Sequence, residues 1–185
     1  MGRKQTIDRN ALLDAADRII QRDGTSGLTI DAIAAEAGVS KGGVLYAFGT
    51  KDAVIEAMFE RSYAQYERRA EALRERYAGE RWSRALVHVE ATQAESPADA
   101  ARAMSLLAGM VRANEHREEI RRVYGGIFDR LPGDSEQDRL ARIAMLAAEG
   151  MFMLRGFGLL DVPGAQWDEI FRDIRALVPR GSAGL

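Results

Sequence analysis

Between Thr29 and Thr50 the chain reads TIDAIAAEAGVSKGGVLYAFGT, and this stretch limits the available folds more than any other. Thr29, Ser40 and Thr50 each precede a run that can wind as a helix, where a side-chain oxygen accepts a hydrogen bond from a first-turn amide. Gly38 stands between the first two runs and supplies the positive φ that closes a tight turn. The spacing predicts a helix from Thr29 through Ala37, a brief helix capped by Ser40, and a long one starting at Lys51. Ala34, four residues before Gly38, is small enough for the two short helices to cross closely, while Ile30, Ile33, Val39, Val44 and Phe48 supply an apolar interior. An ordinary helical hairpin has the same ingredients. Gly42 and Gly43 fall in the first turn of the brief helix, where amides have no intrahelical acceptor and can bond the Ser40 oxygen.

Helical spacing extends through most of the chain. Leu12, Ala15, Ala16, Ile19 and Ile20 share one face of a segment from Asp8 to Asp23, with Gly24 as its stop. After the long helix to about Tyr77, segments follow at about 81–95, 96–112, 115–130, 135–157 and 166–177. Ser96-Pro97 marks one start, and Pro132-Gly133 and Pro163-Gly164 mark turns. The expected class is all-α with about nine helices, as a three-helix head over residues 1–50 and a second helical domain over 51–178. Residues 177–182 read LVPRGS, identical to an engineered thrombin-cleavage linker, so 179–185 is set apart as a tail that can be vector-derived.

The chain lacks cysteine, which removes disulfides, thiolate nucleophiles and zinc sites built on sulfur. His88 and His116 share no His-Glu-x-x-His spacing, and no Gly-x-Ser-x-Gly elbow, phosphate loop or dinucleotide turn occurs. Neither an enzyme nor a metal or cofactor site is expected. The longest apolar run, Ile143 to Leu154, is interrupted by Glu149 and is shorter than the roughly 20 residues of a membrane span. With no signal-peptide pattern at its start, the chain is expected in the cytoplasm, away from membranes. Residues 1–51 carry seven Lys/Arg against six Asp/Glu, and the rest nineteen against twenty-two, so any nucleic-acid contact rests on a few placed groups.

The stretch LTIDAIAAEAGVSKGGVLYAFGTKDAVIEAM, Leu28 to Met58, resembles the DNA-binding signature of the tetracycline-repressor (TetR) family of bacterial regulators, particularly members reading KGGLLYHFPSK. The resemblance implies that Thr29, Ser40, Tyr46 and Lys51 face the DNA backbone or groove walls, and that Lys41, Gly42, Gly43 and Leu45 lie near base edges. Tyr46 is an exposed aromatic if Val44 and Phe48 point inward. Lys51, a cation in the first turn of a helix, opposes the helix dipole and gains most where an anion such as phosphate is near. Leu45 and Ala47 depart from the tyrosine and histidine many members carry, and Arg3, Lys4 and Arg9 offer a compensating basic arm.

In the second domain the excess of bulky apolar residues suits a pocket for a small, mostly apolar effector: Met58, Phe59, Tyr63, Tyr66, Met104, Leu107, Met110, Val111, Tyr124, Phe128, Met145 and Phe152. His88 and Thr92, one helical turn apart, are the polar groups expected to orient it. Plain core is the alternative for each of these. The last two helices are too apolar for surface helices, and the resemblance implies that they pair with their copies as a homodimer interface. Its expected residues are Ala144, Ala147, Ala148, Met151, Arg155, Trp167, Ile170, Phe171 and Ile174, with Gly156 permitting close packing; burial within one protomer is the alternative. The function implied is a regulator, a repressor released by its effector, binding double-stranded DNA at a pseudo-palindromic operator. An effector-independent or architectural DNA-binding protein is the rival reading, and a small-molecule-binding protein or enzyme with a disused head is a third.

Overall fold

The computed structural model describes residues 8–112, 117–128 and 134–181. They form α1 (Arg9–Gly27), α2 (Ile30–Ala37), α3 (Lys41–Phe48), α4 (Lys51–Arg76), α5 (Ser83–Gln93), α6 (Pro97–Arg112), α7 (Arg117–Phe128), α8 (Glu136–Gly156) and α9 (Gly164–Ala176). No strand occurs among the described residues, so the all-α expectation holds. None of their helices is long and apolar enough to cross a membrane.

Side-chain caps set the helix starts. Asp8 accepts from the Asn10 and Ala11 amides at 2.9 and 3.3 Å, Thr29 from Ala32 at 3.0 Å, and Thr50 from Ala53 at 3.1 Å. Each such cap stabilises its helix by about 1 kcal/mol. Gly38, at φ 67°, closes the α2–α3 turn, with its amide reaching back to the carbonyls of Ala34 and Ala35. Gly24, at φ 70°, breaks the regular winding of α1, and one further turn follows before Leu28. Ser135 and Asp138 form a reciprocal capping box at α8. Asp138 is buried there, also accepts from the Trp82 indole at 2.9 Å, and is held down at about 2, chiefly by the Ser135 hydroxyl and then by that indole.

Two apolar clusters organise the molecule. One joins Leu12, Ala16, Ile19, Ile33, Val44 and Phe48 of the first three helices to Val54, Ile55 and Met58 of α4 and to Leu106 and Met110 of α6. The other joins α5, α8 and α9 through Leu86, Val89, Ala144, Met145, Ala148, Trp167 and Phe171. The head therefore shares its core with the start of α4 and with α6. That sharing extends to charge: Asp17 of α1 pairs with Arg61 of α4 and with Arg102 of α6, the latter at 3.3 Å.

The segment after α9 is tied to the fold. Val178 is buried in the second cluster, and Gly181 is tied to the segment before α5, its carbonyl accepting from the Arg81 amide and its amide donating to the Glu80 carboxylate, both at 3.2 Å.

Candidate nucleic-acid interface and interior cavity

On α3, Val44 and Phe48 are buried while Tyr46 is 87% exposed and Leu45 40% exposed. Lys41, Gly42, Ser40 and Thr29 are also exposed, so α3 presents an outward face beside the N-terminus of α2. Ser40 spends its oxygen on the Gly43 amide at 3.1 Å. Gly43 is buried and Gly42 is exposed, where a Cβ would meet only the Ser40 hydroxyl, at 3.9 Å. Of the two glycines, only Gly42 can let an external surface approach the backbone.

The cations of this region already hold partners. Lys41 pairs with Asp31 at 2.9 Å across an exposed surface, a bond worth at most about 1 kcal/mol and easily exchanged for a phosphate or base. Lys51 is half-buried and donates to the Thr25 carbonyl at 3.3 Å, tying the first turn of α4 to the end of α1. Arg9, expected in a basic arm, lies instead over the Phe48 ring at 4.2 Å and donates to the Ala47 carbonyl, bracing the end of α3. Arg3 and Lys4 lie outside the described residues.

Behind the head, α4 to α8 line a cavity that opens to solvent. Its wall includes Phe59, Tyr63, Tyr66, His88, Thr92, Met104, Leu107, Tyr124 and Phe152, which the sequence singles out as effector-binding candidates. Four other candidates stand elsewhere. Met58 and Met110 are buried in the head-side cluster, where they fill the junction of α4 and α6, and Val111 is 44% exposed at the end of α6. The Phe128 side chain and His116 lie outside the described residues, and Met145 is buried in the second core cluster.

The lining also holds Ser62, Gln65, Glu95, Asp99, Ala103, Val123 and Glu149. Glu149 is the departure of greatest consequence. It is buried on α8, accepts from the Tyr124 hydroxyl at 2.8 Å, and lies 3.6 Å from Nε2 of His88. Tyr66 reaches Nδ1 of the same imidazole at 3.0 Å. Burial pushes the Glu149 carboxyl up, against the lowering effect of the Tyr124 bond, and pulls His88 down to about 4. Burial likewise raises the phenols of Tyr66 and Tyr124. The result is a hydrogen-bonded cluster from α4, α5, α7 and α8 inside a mostly aromatic wall, where burial disfavours the charged form of each member. Glu149 was visible in the sequence as the one charge interrupting the longest apolar run.

Burial divides the expected dimer residues. Ala144, Ala148, Trp167, Phe171 and Ile174 pack inside the protomer's own core, because α8 and α9 turn their wide apolar arcs toward α5. Ala147, Met151 and Ile170 flank that core half-buried, and Arg155 lies over the Trp167 ring at 4.1 Å. Gly156 packs against α6 of the same chain: a Cβ there would stand 2.6 Å from the Ala100 carbonyl oxygen. The arc of α8 left outside instead carries Ile143, Leu146, Leu154 and Phe157, between 40 and 60% exposed. Among the described residues no group of His, Cys, Asp and Glu is arranged to hold a metal ion.

Comparison with known proteins gives this arrangement its place. Residues 12–58 match the family model described as bacterial regulatory proteins, tetR family, and residues 80–179 match that of the tetracyclin repressor-like C-terminal domain. No curated protein sequence matches the chain significantly. The multidrug binding protein EbrR, crystallised with imidazole, is similar at 20% identity and a TM-score of 0.66, over 95% of this chain and 97% of that one. A transcriptional regulator from Rhodococcus sp. Rha1 is similar at 16% identity and a TM-score of 0.70, over 92% and 95%. NalD, the secondary repressor of the MexAB-OprM multidrug efflux pump in Pseudomonas aeruginosa, is similar at 21% identity and a TM-score of 0.57, over 90% and 92%. At these identities the likeness concerns the fold, and the family matches, one of them over half the chain, carry the assignment. The chain belongs to the TetR family of bacterial transcription regulators.

Proposed function

We propose that the protein is a homodimeric, sequence-specific repressor whose two α3 helices enter successive major grooves of a pseudo-palindromic operator, and that a small ligand in the cavity releases it. The observation that carries this reading is the course of α4: its first turn is joined to the head through Lys51 and Thr25, and its middle lines the cavity through Phe59, Tyr63 and Tyr66. A ligand that shifts α4 moves the heads relative to each other. Half-sites lie about 34 Å apart, so a small change in head spacing disfavours simultaneous docking. Coupling requires that the ligand bind the two head spacings with different affinity.

On DNA, Tyr46, Leu45, Lys41 and Gly42 are the groups placed to meet base edges or groove walls, and Thr29, Ser40 and Lys51 the backbone. Gly43 serves inside the head. Pairing of two copies falls to the exposed α8 arc of Ile143, Leu146, Leu154 and Phe157, an apolar stripe that water otherwise covers. That NalD is a repressor and that EbrR has been crystallised with malachite green agree with a repressor answering to a small organic molecule.

Compounds that raise the melting temperature of the free protein provide the test. Added to the protein bound to its operator, such a compound is expected to weaken the complex. If every stabilising compound leaves operator affinity unchanged, ligand and DNA are uncoupled and the release mechanism fails.

A further inference from the structure

The cavity wall carries three carboxylates, Glu95, Asp99 and Glu149, and no lysine or arginine among the described residues. Two are already neutralised. Glu95 pairs with Arg69, while Asp99 pairs with Arg102 at 3.0 Å and accepts from the Ser96 hydroxyl at 2.7 Å. Glu149 differs: its hydrogen-bonding partner is the uncharged Tyr124 hydroxyl, its other neighbour is the His88 imidazole, and burial disfavours its ionised form. A glutamine would hold the same shape and accept the same bond without the solvation cost that a buried carboxylate carries. Phe59, Tyr63, Tyr66, Tyr124 and Phe152 line the space with aromatic rings, which stack on any flat aromatic ligand and whose quadrupoles add an attraction for a cation.

Building on the reading of this cavity as the effector site, we propose that the effector is a monocationic aromatic molecule whose charge is seated against Glu149. The cation exchanges its water for a carboxylate and ring quadrupoles in a space of low polarity, where each attraction is stronger than at the surface. An anion meets an uncompensated carboxylate and is excluded. A neutral aromatic gains the apolar contacts and ring stacking but not the attraction of the charge.

The experiment uses the full-length protein without DNA and two fluorescent probes of nearly equal shape, N-methylacridinium and acridine, under mildly alkaline conditions where acridine is uncharged. The wild type is expected to bind the cation roughly tenfold or more tightly than acridine. Glu149→Gln, which keeps the Tyr124 bond, is expected to remove that preference by weakening the cation far more than acridine. Equal affinity of the wild type for both probes, or a preference for acridine, overturns the charge assignment and leaves the cavity standing as an effector site. Equal loss of both probes in Glu149→Gln also overturns it, since the residue then supports the cavity rather than the charge. Binding of neither probe to the wild type overturns the proposal together with the reading of the cavity as a site for planar aromatic effectors. The wild-type comparison decides the matter even if the variant fails to fold.

Discussion

The guanidinium of Arg102 lies 3.3 Å from the Asp17 carboxylate, joining α6, which walls the cavity, to the first helix of the head. Arg102 also holds Asp99 of the cavity wall at 3.0 Å, and Asp17 is 8% exposed. Burial raises the Asp17 carboxyl, opposed first by Arg102 and then by Arg61. Arg102→Met leaves Asp17 with Arg61 alone, and a loss of about 1–3 kcal/mol is expected from urea unfolding at fixed protein concentration. Combined with Asp17→Asn, the loss should fall short of the sum of the single variants by about 0.5 kcal/mol or more. Strict additivity would mean that the two charges do not work together. The same double variant should also blunt ligand release of DNA, because the contact between cavity wall and head is gone.

His88 ties stability to pH. Buried between Tyr66 and Glu149, it is held at about 4, against an ordinary value near 6.5. Between those values the unfolded chain binds the extra proton, so stability rises with pH; the contribution is complete above about pH 6.5 and is lost as pH falls toward 4. Glu149, whose carboxyl is raised, works in the opposite sense, and comparison with His88→Gln cancels its share. The wild type should lose on the order of 2 kcal/mol more than His88→Gln between about pH 7.5 and 5. Parallel losses in chemical denaturation would show that His88 is not the titrating group.

Gly156→Ala is expected to destabilise the protein by about 1–3 kcal/mol, because its Cβ would meet the Ala100 carbonyl oxygen at 2.6 Å and crowd Met104 Cγ. The methionine can turn aside, but the backbone oxygen cannot. An unchanged melting temperature would place α8 farther from α6 than the structure has it.

How the sequence relates to this architecture differs from element to element. Thr29, Ser40 and Thr50 are legible because a cap is a local event, complete within four residues. Gly38 is legible for the same reason. The inward arc of α8 is not, since Ala144 and Ala148 or Ile143 and Leu146 make equally good apolar stripes on a helix apolar over so wide an angle. Only contact with α5 and α6 decides which stripe turns in. Met58 and Met110 look like pocket residues because methionine suits any irregular apolar space, here the junction of head and body. Glu149 carried a signal, a carboxylate inside an apolar run, whose meaning depends on Tyr124 and His88 arriving from two other helices.

The exposed α8 stripe predicts an assembly. Leu146, 60% exposed, contributes little to its own protomer, so Leu146→Glu should leave the helical content intact while converting a dimer to a monomer in light scattering. Operator affinity should fall steeply with it. A variant that remains dimeric would move the interface off this face.

The account rests most heavily on α3 as a reader of DNA sequence, and selection of tight-binding sites from a random DNA pool tests that directly. The wild type is expected to enrich an inverted repeat with half-site centres about one helical turn, roughly 10 bp, or a multiple of it apart. Tyr46→Ala, which removes an 87% exposed side chain at no cost to the core, should abolish the enrichment. Recovery of no common sequence by the wild type, or of the same repeat with equal strength by Tyr46→Ala, would contradict the assignment of α3 as the reading element.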